Sequence, residues 1–349
     1  MELSPAKRAL LEKWLRGQGP ERSMPTITRR PESKEIELSL PQQRQLFLEL
    51  LEPGTAVNNL SVFIELKGDL DKDALELSGG QILSRHEVLR TQFSFDDGTP
   101  VPEIVDNIKL EIPLFNIKKK DISESIEEAH RLAELEVLKP FDLSNAPFIR
   151  LKLYALDKQT HFLLVVVHHT ISDGWSLGVF LKELMVFYES NIKGTPVQLA
   201  ELPIQYADYA LWQTDRKRIE LLKNALTYWK EQLKGELPTL ELPTDHLRGP
   251  RQSFKGGTHR FTLSKALTAS LESLSQEMDV TLFMSLLSGF YILLHRYSGQ
   301  KDILVGAPIA NRNLPELEPL IGTFINTLVL LLIFQKGNLG VNKHPLKLS

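Results

Sequence analysis

The sequence predicts an α/β protein of two lobes, and three observations carry that prediction. Runs of alternating apolar and polar side chains, such as "FIRLKLYAL" (148–156), are interleaved with stretches whose apolar residues recur at helical spacing, such as Leu177, Leu181, Leu184 and Tyr188. The chain has 349 residues, more than one small domain uses. Hydrophobic residues make up 42% and charged residues 24%, enough apolar surface for sizeable cores.

In chain order, Ser4-Pro5 opens a short amphipathic leader whose Leu10, Leu11, Trp14 and Leu15 share a face before Gly17 ends it. Gly19 to Glu35 is polar and Pro-rich, so residues 1–35 read as leader helix and linker, and the body begins near Ile36. "SLPQQRQLFLELL" reads as a helix entered from Ser39, and "LSVFIELKG" as a strand from Leu60 that ends at Gly68. "DKDALELSGGQILSRHEVLRTQF" (71–93) is helical at both ends, with Gly79-Gly80 expected to weaken or kink it. "FIRLKLYAL" and "THFLLVVVHH" flank Asp157-Lys158-Gln159, which predicts a hairpin. A helix follows Ser176 and ends before Gly194. The second half opens with "QYADYALWQ" and a long charged helix through Trp229, then a Pro/Gly-dense connector over 241–257. "HRFTLSKAL", the helix "TLFMSLLSGFYILLHRYSG" and the strand "DILVGAPIA" repeat the strand and helix vocabulary. The lobes divide near residue 200, giving 36–200 and 201–349.

Composition removes several classes of function. Net charge is -3, and no stretch concentrates Lys and Arg with aromatics, so nucleic acid is not an expected partner. Without cysteine there is no disulfide, thiolate metal site or Cys nucleophile, which fits a reducing compartment. The start lacks the apolar core of a signal peptide. The longest apolar run, Leu328 to Phe334, is far short of the roughly 20 residues that span a bilayer. A soluble, cytoplasmic protein without a membrane partner is expected.

Chemistry is concentrated in "VVVHHTISDGWSLGVF" (165–180). Neighbours in a strand point to opposite faces, so His168 and His169 cannot share one role, and while one faces a cleft the other faces the interior. A strand-end histidine with one free ring nitrogen can serve as a general base near neutral pH, whereas the ordinary reading of such a pair is structural. Asp173 can orient His169, pair with a distant arginine or cap the loop. A metal held by His168, His169 and Asp173 is disfavoured, because ligands must converge on one point. Gly174-Trp175-Ser176-Leu177-Gly178 fits the G-x-S-x-G elbow of serine hydrolases, yet His168 to Asp173 separate it from the strand, so Ser176 reads as a helix cap. A hydrolase would also need a downstream acid and one of His246, His259 or His295.

"HHTISDGWS" resembles the HHxxxDG signature of the condensation domains of nonribosomal peptide synthetases, members of the chloramphenicol-acetyltransferase-like superfamily. Other stretches resemble that family's motifs in the family's order. They are "SLPQQRQLFLELLEPG", "RHEVLRTQF" (85–93), "YADYALWQ", "LPTDHLRGPRQSFKGG", "VGAPIANRN" and "IGTFINT" (321–327). The likeness covers roughly 36–330 and implies an α/β, two-lobed chloramphenicol-acetyltransferase-like pseudo-dimer built from one chain, hence a monomer. After "INTLVL" the family's HQDxPFExLV and RDxSRNPLFQ segments have no counterpart, so an incomplete second lobe with exposed sheet edges is expected.

The resemblance also implies a reaction. Two thioesters, each on the 4′-phosphopantetheine arm of a donor or acceptor peptidyl carrier protein, are joined when the acceptor amine attacks the donor carbonyl. No cofactor is bound directly, and an adenylation domain is the expected neighbour. By the resemblance His169 is the base or positioner, His168 an inward orienting residue, and Asp173 the partner of Arg90, pinning the loop. The Gly174 N–H is an oxyanion donor, Trp175 supports the site, and Asn326 lines the tunnel between lobes. The HHxxxD form excludes the heterocyclisation variant, Trp175 after Asp-Gly fits condensation rather than epimerisation, and the opening motif is closer to that of domains taking an L-configured donor. The alternative is a non-catalytic remnant that at most binds a carrier protein.

Overall fold

The computed structural model describes residues 26–333, apart from 32, 247–248, 250–253 and 255, so the leader helix expected before Gly17 lies outside the described residues. Contacts divide the chain into two compact units. One holds the residues up to Lys223 together with Leu314–Thr323, and the other holds Asn224–Asn313 and the chain from Phe324. The division expected near residue 200 therefore falls later. Past that point Tyr206, Tyr209 and Ala210 are still buried, at 3%, 1% and 0% exposure, so the chain there belongs to the first core.

In the first unit, helix α1 (Leu40–Leu51) starts where its sequence says it should. The Gln42 N–H donates to Ser39 Oγ at 3.2 Å, the Ser39 N–H donates back to the Gln42 side chain at 3.1 Å, and Pro41 sits in the first turn, where no N–H is needed. Strand β1 (Asn59–Lys67) follows, then α2 (Lys72–Arg85), which runs unbroken through Gly79 and Gly80. No break forms there, and Gly79 is a contact point: a Cβ on it would lie 2.6 Å from Leu110 Cδ2. The helical reading of "HEVLRTQF" is also replaced, by a single 3₁₀ turn (Glu87–Arg90) and strand β2 (Thr91–Asp96). β2 pairs with β3 (Thr99–Ile104) around Asp97 and Gly98, whose φ values of 45° and 78° suit a tight hairpin turn.

Strand β4 (Leu114–Asn116), helix α3 (Ile122–Val137), strands β5 (Ile149–Ala155) and β6 (Thr160–His168), and helices α4 (Gly174–Lys193) and α5 (Tyr206–Thr214) complete the unit. The four-stranded sheet has the order β1-β6-β5-β4, antiparallel except between β4 and β5. The β5–β6 hairpin forms as its alternation predicts, with the Asp157 carboxylate accepting the N–H groups of Gln159 and Thr160. β6 is paired on both edges and buried on both faces. Phe162, Leu164 and Val166 pack on Ala129 and Ala133 of α3, and Leu163, Val165 and Val167 are at most 1% exposed. That double burial is why its sequence is an unbroken apolar run. α4 ends at Gly194 (φ 62°) as expected, but its buried stripe is Ser176, Phe180, Glu183, Leu184, Phe187 and Ser190, sharing only Leu184 with the predicted stripe. Polar residues on the inward face obscured the pattern.

The division between the units falls within α6 (Arg216–Gln232). The second unit contains α7 (Lys265–Glu277), α8 (Leu282–Ser298) and an antiparallel pair, β7 (Asp302–Ile309) and β8 (Asn326–Ile333). Its core is Tyr291, Leu294 and Ile303. Among the described residues no single helix is long and apolar enough to cross a membrane.

Candidate active site

β6 ends on His168 and His169 follows it directly, at the start of the turn, so the two side chains part. His168 continues the buried row, is 1% exposed and meets the Phe141 ring edge-on. Its Nδ1 lies 2.9 Å from Thr170 Oγ1 and accepts the Thr170 N–H at 3.3 Å, which leaves Nε2 as the ring's donor, facing Glu49 Oε2 at 3.6 Å. Burial acts to raise the Glu49 carboxyl, but the nearby His168 imidazole and the hydrogen bond from the Asn58 side chain outweigh it and hold it below the usual glutamate range.

His169 is partly exposed. Its backbone N–H donates to Asn58 O at 2.8 Å, and its Nδ1 lies 2.8 Å from Ser172 O. A carbonyl only accepts, so Nδ1 carries a proton, and in the neutral form of the ring the lone pair lies on Nε2. Nε2 has no hydrogen-bond partner among the described residues. The backbone after β6 thus sets the tautomer a general base requires.

Asp173 caps α4: its Oδ1 accepts the Ser176 N–H at 2.8 Å and the Ser176 hydroxyl at 2.7 Å. The expected Arg90–Asp173 pair does not form. Arg90, the last residue of the 3₁₀ turn, instead donates to Leu83 O near the end of α2 and to Val105 O and Asp106 Oδ1 just after β3. Gly174 is the first residue of α4 and exposed, with nothing within 4 Å of where a Cβ would stand; its N–H is among the donors that no helix partner can satisfy. Trp175 is 49% exposed and donates its indole N–H to Glu318 O at 3.0 Å.

Ser176 is neither the cap nor a nucleophile. The cap is Asp173, and Ser176, at 0% exposure, directs its hydroxyl to Asp173 Oδ1 and to Gly322 O at 2.7 Å. Among the described residues no group of three His, Asp or Glu side chains converges as metal ligands would. Asn326 stands in the second unit, exposed, as the first residue of β8 opposite Ile309.

Three features here had no signal in the sequence. Glu49 and Asn58 link α1 to both histidines: the Asn58 side chain donates to Glu49 Oε2 at 3.2 Å while its carbonyl holds the His169 N–H. Glu183, 4% exposed on α4, accepts from Arg85 Nε at 3.0 Å and His86 Nε2 at 2.8 Å. A concavity of about 1120 Å³ beside α2, lined by residues such as Arg85, Lys109, Phe187 and Leu199, includes neither His168 nor His169.

The profile of the family described as "Condensation domain" matches residues 32–338. The chain belongs to the condensation-domain family. A linear gramicidin synthase of Brevibacillus parabrevis is 47% identical over 86% of this chain, and phosphinothricin tripeptide synthetase PhsC of Streptomyces viridochromogenes is 37% identical over 96%. The chain spans only 6% of the first of those proteins and 31% of the second. Among solved structures, the X-domain from teicoplanin biosynthesis aligns with a TM-score of 0.78 and 28% identity, covering 89% of this chain and 68% of that one. The first condensation domain of the CDA synthetase aligns with a TM-score of 0.72 at 18% identity over 88% of this chain and 72% of that one, a likeness of fold. The α/β, chloramphenicol-acetyltransferase-like fold class expected of a condensation domain stands with these neighbours.

Proposed function

We propose that this condensation domain forms an amide bond between two carrier-bound thioesters, with His169 as the working residue. The observation that carries the reading is the His169 ring, whose Nδ1–H is fixed on Ser172 O while Nε2 is left open. In that geometry Nε2 takes a proton from the acceptor's amine as the amine nitrogen attacks the donor thioester carbonyl. The carbonyl oxygen becomes an oxyanion, for which the Gly174 N–H at the positive end of α4 is the donor. Collapse breaks the C–S bond, the departing thiolate takes the proton back, and the extended chain remains on the acceptor carrier. His168, locked between Thr170 and Glu49, orients the strand end; Asp173 acts as a cap; Asn326 is assigned to the substrate tunnel.

The substrates arrive on 4′-phosphopantetheine arms of donor and acceptor carrier proteins, and an adenylation domain is the neighbour, in the cytoplasm. The test is a dipeptidyl-thioester assay with purified protein and two loaded carriers, read by mass spectrometry. Product is expected with wild type and lost in His169→Ala while circular dichroism is unchanged. Product formed at the wild-type rate by His169→Ala would overturn the assignment.

A further inference from the structure

Between β7 and β8 the chain leaves the second unit, and Leu314–Thr323 belongs to the first. This strap has Leu317, Leu320 and Ile321 at no more than 1% exposure, and it is fastened to the first turn of α4. Ser176 Oγ and Gly322 bond reciprocally: the hydroxyl donates to Gly322 O at 2.7 Å and accepts the Gly322 N–H at 3.1 Å. The strap's neighbours hold it from three further sides. Trp175 Nε1–H donates to Glu318 O, Tyr206 O–H donates to Thr323 O at 2.7 Å, and the Ile321 N–H donates to His86 Nδ1 at 3.4 Å. Gly322 packs against the Tyr206 ring, where a Cβ would come within 2.0 Å of Cδ2 and 2.3 Å of Cε2, so glycine is demanded by close approach.

We infer that Gly322, through Ser176, is a positioning residue that fixes the direction of the Gly174 N–H and of the Asp173 cap. The α4 N-terminus is not held by the loop before it alone. Ser176 shares its proton between the cap carboxylate and the strap, so a strap displaced by about 1 Å, the order of shift that a Cβ at 2.0 Å from the Tyr206 ring demands, moves the turn that carries the oxyanion donor. The kinetic part of this inference rests on the proposed amide-forming reaction; the structural part does not.

The test substitutes Gly322→Ala in the full chain, alone and with Tyr206→Ala, which clears the space a Cβ needs. In Gly322→Ala, amide hydrogen exchange over 174–178 is expected to speed up while exchange in β5 and β6 stays as in wild type. In the thioester assay kcat is expected to fall about 10- to 100-fold with KM for both carriers within about threefold, the loss that a misplacement near 1 Å brings. Adding Gly322→Ala to Tyr206→Ala is expected to cost less than about threefold, since the clash is gone. Unchanged exchange at 174–178 overturns the inference whatever the rate, as does faster exchange throughout the first unit, which marks a merely structural role. A dead His169→Ala beside a fully active Gly322→Ala overturns the inference and leaves the proposed reaction standing; an active His169→Ala with altered exchange in Gly322→Ala does the reverse.

Discussion

Removing the Glu183 carboxylate isolates a buried cluster that the sequence did not announce. Its two oxygens accept from Arg85 Nε at 3.0 Å and His86 Nε2 at 2.8 Å, and the side chains are 5%, 16% and 1% exposed respectively. In Glu183→Ala, Arg85 keeps its bond to Ala200 O, but its charge loses its counterion and the His86 N–H loses its acceptor. Breaking a buried pair by deleting one partner costs about 3–5 kcal/mol. Arg85 retains some contact with water, so the lower end, about 3 kcal/mol, is expected. Glu183→Gln keeps the shape and one acceptor and should cost about half as much, near the value of a hydrogen bond to a charged group. Equilibrium urea unfolding followed by tryptophan fluorescence measures both, with the midpoint falling and the slope unchanged. Because His86 Nδ1 receives the Ile321 N–H, exchange at Ile321 should rise in the same variant. A loss below about 1 kcal/mol for Glu183→Ala would refute the premise that this cluster is shielded from water.

Two further outcomes are expected. Glu49 is held below the usual glutamate range, so it contributes stability that is present above the ordinary carboxylate pKa and lost as pH falls through its lower folded value. Glu49→Gln should therefore flatten the acid limb of a stability–pH curve and leave the neutral-to-alkaline part parallel to wild type, as thermal melts across pH will show; an unchanged acid limb would count against the His168–Glu49 contact. Gly79→Ala should destabilise by about 1–2 kcal/mol despite alanine's better helix propensity, because the added Cβ overpacks Leu110, and Leu110→Ala should relieve that strain when combined with it, in a double-mutant cycle of urea midpoints.

Local signals were legible wherever the physics is local. Ser39, Pro41 and Gln42 specify the start of α1 through bonds made within one turn. The alternation of β5 and the Asp157 turn specify a hairpin, and the strand period alone separates His168 from His169. Features that depend on a distant partner were not legible. Gly79 looks like a helix breaker because Leu110, which it accommodates, is 31 residues away in sequence. An Arg90–Asp173 pair is what two motifs suggest, yet side-chain direction depends on the 3₁₀ turn at 87–90, and Arg90 turns to backbone carbonyls.

By itself the sequence determined the α/β class, the family, the order of its motifs and the separation of the two histidines onto different faces, since each follows from short-range periodicity or residue identity; which of the two works was implied only by the family resemblance. Only the tertiary structure decided which nitrogen of His169 is free, what Asp173 holds, that Ser176 is a buried fastening, and that Gly322 must be glycine. These depend on groups that are far apart along the chain and meet only after folding, where a few tenths of an ångström decide whether a hydrogen bond exists.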